Sequence, residues 1–107
     1  MPLREEIADL LRMPENGAGA PSLDAIESTL TNGYAEALVL EAERTRIERR
    51  LGEVVRDAGE VSAHSVATEL AELSGRRDMA EAELARLRSL LDDLQARRRL
   101  ARAAGAT

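Results

Sequence analysis

Residues 23–58 read LDAIESTLTNGYAEALVLEAERTRIERRLGEVVRDA. Taken at alternating steps of three and four, this stretch returns Leu23, Ile26, Leu30, Gly33, Ala37, Leu40, Arg44, Ile47, Leu51, Val54 and Ala58. That spacing is the a/d heptad of a coiled coil, with Gly33 as an empty d position and Arg44 as a polar a position. After Gly59-Glu60-Val61-Ser62 the alternation resumes with Ala63, Val66, Leu70, Leu73, Arg77, Ala80, Leu84, Leu87, Leu91, Leu94, Arg98 and Ala101. A stripe this narrow cannot be buried by a lone helix, so each arm needs a partner.

Charge identifies that partner as the other arm, running the opposite way. Residues 24–43 carry Asp24, Glu27, Glu36, Glu41 and Glu43 and no Arg. Residues 44–56 carry Arg44, Arg46, Arg49, Arg50 and Arg56 against Glu48 and Glu53. In the second arm the order is the same: residues 66–83 are net acidic and residues 86–102 are net basic. Folding the chain back at 59–62 lays minus beside plus along both halves, whereas a parallel pairing would set like against like. Each exposed pair is worth a few tenths of a kcal/mol, but the pattern selects orientation. The expected fold is all-α: a long antiparallel coiled-coil helical hairpin with arms at about 23–58 and 63–103. An antiparallel homodimer of the same arms satisfies the charges equally.

Thr29-Leu30-Thr31-Asn32-Gly33 and Ser74-Gly75 have poor helix propensity, and Asp78 with Glu81 resembles a capping box. The heptad phase is kept through both places, which predicts continuous helices with these as the candidate kinks.

Outward from the hairpin, Leu3, Ile7, Leu10 and Leu11 mark a short amphipathic helix over residues 1–13. Pro14-Glu15-Asn16-Gly17-Ala18-Gly19-Ala20-Pro21 reads as a flexible linker over 14–21, and Ser22 as the N-cap that opens the hairpin at 22–107.

Composition agrees. Of 107 residues, 19 are Ala and 16 are Leu, against five Val and three Ile, with one Tyr and no Phe or Trp. Sheet cores need the β-branched and aromatic residues that this chain lacks. All 15 basic residues are Arg, which points to a GC-rich bacterial gene. No apolar run approaches the ~20 residues of a membrane span, and the N-terminus has no signal-peptide pattern, so the expected setting is cytoplasmic.

The same residues leave little for chemistry. Without Cys there are no disulfides, thiolate metal sites or Cys nucleophiles. His64 is the single histidine, beside Ser62 and Ser65 at the turn, where neighbours in sequence cannot assemble an oriented triad. Gly17 and Gly19 lie in a linker with no preceding strand and no Lys, so they form no phosphate loop. The Arg97–Arg102 run has no aromatic beside it and the net charge is −5, which weighs against nucleic acid. The expectation is therefore no enzyme activity, no cofactor and no metal.

Binding remains. Arg44, Arg77 and Arg98 at a positions are expected to reach the rim, Arg44 toward Glu41 and Glu48, Arg77 toward Glu81. A second apolar face runs through Thr31, Ala35, Leu38, Ala42 and Thr45, with Tyr34 and Val39 beside it and Gly33 as a notch. On the other arm Ala67, Ala71, Met79, Ala82, Ala85 and Leu90 also lie off the seam. Either the N-terminal helix covers this face, or two hairpins pair through it into a four-helix bundle. The sequence reading favours a homodimeric protein–protein interaction or structural module that docks a protein partner of unknown identity through Tyr34, Leu38, Val39, Ala42, Arg44 and Arg77.

The alternative lies at the tip, Arg56-Asp57-Ala58-Gly59-Glu60-Val61-Ser62. Asp57 and Glu60 make it similar to the acidic tip of transcription-elongation factors that insert a coiled-coil hairpin into RNA polymerase. That resemblance, over about seven residues, implies a transcription-regulating factor.

Overall fold

The computed structural model describes residues 2–105 as an all-α chain. Helix α1 spans Leu3–Arg12, α2 spans Leu23–Arg56, and α3 spans Ala63–Gly105, with a single 3-10 turn at Ala58–Glu60. The long helices α2 and α3 form the antiparallel hairpin, and α1 is the short N-terminal helix. Both weak stretches stay helical. Thr31 Oγ1 donates to the Glu27 carbonyl one turn back, which ties this residue into the helix.

Serines start both long helices. Ser22 Oγ accepts from the Ala25 N–H at 3.1 Å, and Ser62 Oγ accepts from the Ser65 N–H at 3.1 Å. Each satisfies one of the four donors that a helix start leaves open. Between them, α2 ends at Arg56, and the Glu60 N–H bonds the Asp57 carbonyl to close the tip.

The chain divides into two compact units, one of residues 1–37 with 86–107 and one of residues 38–85. In the first unit Ile7, Ile26, Leu30, Ala37, Leu87, Leu91 and Leu94 are buried. Gly33 faces Leu91 so closely that a Cβ at this position would overlap Leu91 Cδ2. The notch read from the sequence is therefore filled from within the hairpin. Reversing one helix against the other brings e positions to face e positions, and the ion pairs follow. Glu27 accepts from Arg102 at 3.2 Å and from Arg98 at 3.4 Å, and Gln95 donates to the Tyr34 hydroxyl at 2.5 Å.

The Arg98 hydrogen bond, then the Arg102 one, hold the Glu27 carboxyl below the usual glutamate range. A folded pKa below the unfolded value of ~4.3 gives stability that is present above that value. It is lost as pH falls through the folded pKa. Glu27→Gln should therefore flatten the acid limb of stability below about pH 4.3, read by urea denaturation at stepped pH. Superimposable acid limbs for the two proteins would reject this.

Helix α1 belongs to the first unit. Glu5 and Glu6 sit in its first turn, where the dipole favours them, and Ile7 is fully buried. Its C-terminus is closed from α3. Arg97 donates to the carbonyls of Leu11 at 2.6 Å, Met13 at 2.5 Å and Pro14 at 3.3 Å. Leu11 is in the last turn, whose carbonyls the helix leaves without partners, and Met13 and Pro14 lie just beyond it; a guanidinium can serve several oxygens at once. Gly17, at φ +86°, takes the left-handed conformation in the linker that a residue without a Cβ adopts freely.

Arg97→Ala should release α1 with a loss of about 1–2 kcal/mol. Amide exchange in α1 should then rise roughly tenfold. Unchanged α1 protection would show that Ile7 alone holds the helix.

The second unit is a two-helix hairpin. Arg50 donates to Glu69, with a closest approach of 2.8 Å, which sets g against g. This register levels Leu51 with Leu73 and Val54 with Leu70. Ile47, Val54 and Leu73 form the cluster there, with Leu51, Val66 and Leu70 packed against it. Opposite charge blocks meet in both units, as the sequence pattern predicts.

Candidate functional site

The residues singled out in the sequence divide between the units. Tyr34 belongs to the first, 45% exposed and with its hydroxyl bonded to Gln95. It lines a cleft of about 250 Å³ with Glu27, Leu30, Thr31, Gln95 and Arg98. Helix α1 does not cover Thr31, Tyr34 or Ala35, which are all exposed. It lies along α3 instead, where Pro2, Arg4, Glu5 and Ala8 line a cleft with Arg86, Ser89 and Leu90. Ile7 is the buried residue of α1, and sequence periodicity could not choose where the helix would bury it.

Leu38, Val39, Ala42, Arg44 and Arg77 belong to the second unit. Leu38 is 66% exposed and Val39 56%, and Met79 on α3 is 67% exposed. These large apolar side chains stand at b and c positions, which point away from the seam.

Arg44 and Arg77 are the two polar a positions of this unit. The register levels Arg44 with Ala80 and Arg77 with Ile47, so the two guanidiniums enter consecutive layers. Arg44 Nε lies 4.0 Å from Glu48 Oε1, the expected partner, at the limit of an ion pair. Arg77 reaches Asp78 Oδ1 at 3.9 Å, a neighbour in sequence, in place of the expected Glu81. Its Nε is buried with no hydrogen-bond partner. Neither contact is short enough for a hydrogen bond, so both cations are weakly compensated where they leave the seam.

A further cluster was not legible in the sequence. Glu43, Arg46, Ile47, Arg50 and Arg76 line one shallow cleft of about 290 Å³ on the g side of the second unit. Arg50 is committed there to Glu69 and Glu53, which push its pKa further up. Glu43, Arg46, Glu72 and Arg76 make no hydrogen bond or ion pair among the described residues.

At the tip, Asp57 and Glu60 are exposed, and so is His64, in the first turn of α3. Ser62 Oγ donates to Ser65 Oγ, so the hydroxyls serve the helix start. Among the described residues no group of three His, Asp or Glu is placed to hold a metal ion. No described helix is long and apolar enough to cross a membrane. No family model matches this chain, and no curated protein or solved structure shows significant similarity to it.

Proposed function

We propose that this chain is a non-enzymatic protein–protein interaction module of the cytoplasm, an adaptor or structural element whose hairpin presents a docking surface. The surface is the outer side of α2 in the second unit, centred on Leu38 and Ala42, with Arg44 and Arg77 emerging beside the seam. The observation that carries this reading is the exposure of Leu38, Val39 and Met79 at positions that an isolated hairpin would fill with polar residues. Exposed apolar side chains near undercompensated Arg are the composition of an interface centre.

The test uses the purified full chain as bait in an extract of its host, with Leu38→Asp as the matched control. Leu38 is exposed, so the variant keeps its helical circular dichroism. A protein retained by the wild type and lost from the variant is the expected result. Equal recovery of every protein by both baits would overturn the reading.

A further inference from the structure

We propose that the seat of α1 on the first unit is a helix-binding groove, and that an amphipathic helix of a partner protein takes it by displacing α1. This inference stands on the first unit alone and does not depend on the surface around Leu38.

Helix α1 is held at few points. Ile7 is its one buried side chain, while Leu3, Leu10 and Leu11 are half-buried. Its other hold is Arg97, whose guanidinium serves the carbonyls of Leu11, Met13 and Pro14. Those bonds go to main-chain oxygens, so they select a helix end and not a sequence. The tether at residues 14–19 is exposed and adds little burial. A helix of ten residues has little stability of its own in water, so α1 owes its order to the seat.

The seat is also larger than α1 fills. Pro2, Arg4, Glu5 and Ala8 line a cleft of about 580 Å³ with Arg86, Ser89 and Leu90. Arg4 and Ala8 are four residues apart, on one face of α1. Ala8 is small, and both it and Leu90 stay half-buried. Arg4 brings its guanidinium to a cleft that already holds Arg86, and neither cation has a partner among the described residues. Glu5 lines the cleft as well, without an ion pair.

This misfit defines the helix that fits better. It carries an aliphatic residue where α1 has Ile7, a longer aliphatic residue where α1 has Ala8, and an acid where α1 has Arg4. The long side chain covers Leu90, the acid answers Arg86, and Arg97 closes the helix end as it does for α1. Such a helix competes with a tethered one, whose effective concentration is high. The groove is therefore closed to weak ligands and opens only to a helix with better contacts.

The probes are fluorescent peptides of residues 2–14, one native and one with Arg4→Glu and Ala8→Leu, read by anisotropy against the full chain. The substituted peptide should bind at least about tenfold tighter than the native one. Ile7→Asp in the chain empties the seat and should tighten both peptides at least about tenfold, because the tethered competitor is gone. Circular dichroism confirms that this variant keeps its long helices. Placed in the chain itself, Arg4→Glu with Ala8→Leu should slow amide exchange in α1 about tenfold and weaken peptide binding.

Equal peptide binding by the wild-type and Ile7→Asp chains would put the peptides elsewhere and overturn the proposal. So would equal affinity of the two peptides, or unchanged exchange in the doubly substituted chain. A wild-type chain with the mass of two at ~100 μM, returned to one by Ile7→Asp, would give the seat to α1 of a second copy and overturn the partner helix.

Discussion

Gly33→Ala lowers stability by about 1–2 kcal/mol, although helix propensity alone would raise it by about 1 kcal/mol. The added methyl meets Leu91 Cδ2 well inside van der Waals contact. Leu91 is 2% exposed, so its side chain has no open space into which to swing. Overpacking of a filled seam costs roughly 1–3 kcal/mol, which outweighs the propensity gain. The sign should reverse when Leu91 is shortened. Leu91→Ala alone costs about 2–5 kcal/mol through lost burial and the cavity it leaves. Adding Gly33→Ala to that background fills part of the cavity and recovers the propensity term, so the double variant is more stable than Leu91→Ala. Urea midpoints for the four proteins of this cycle give the coupling directly. Additive effects would mean that the two positions do not meet.

Arg77→Leu works in the opposite direction and raises stability by about 1–3 kcal/mol. The Arg77 Nε is a buried donor without an acceptor, and the Asp78 carboxylate at 3.9 Å is beyond hydrogen-bond reach. A leucine at this a position would complete the layer with Ile47, which is 3% exposed. The urea midpoint should rise with an unchanged slope, since the surface exposed on unfolding hardly alters. A fall in midpoint would show that the rim contacts of the guanidinium outweigh the orphaned donor. The same variant also weighs function. If Arg77→Leu gains stability and keeps every captured partner, Arg77 has no docking role. If it gains stability and loses one, the residue is retained at a thermodynamic cost for binding.

Much of the fold was legible because its signals are periodic and signed. The alternation from Leu23 to Ala101 specified two arms, and the acid and Arg blocks specified their direction, which Glu27 with Arg102 and Arg50 with Glu69 embody. What was not legible depends on register to a single residue. Gly33 reads as a vacancy until Leu91 is known to stand opposite. The Arg97 clasp was hidden for another reason. The apolar stripe of α1 fixes which side it buries but not where it lies, and the carbonyls that Arg97 serves carry no side-chain signature. Arg77 was expected to reach Glu81, four residues on. Sequence spacing gives the neighbours on a helix, not the rotamer chosen by a guanidinium leaving a packed seam.

The clasp on α1 also orders the events of folding. In the second unit the Arg50–Glu69 contact spans 19 residues, so the hairpin can close near its tip at small entropic cost. The Arg97 bonds to Leu11, Met13 and Pro14 span 86, 84 and 83 residues. They cannot form until Arg97 has been made, and their closure spans a loop more than four times as long as that of the tip contact. A nascent chain would therefore carry α1 without its clasp until Arg97 has emerged, so the clasp on α1 forms after the tip contact.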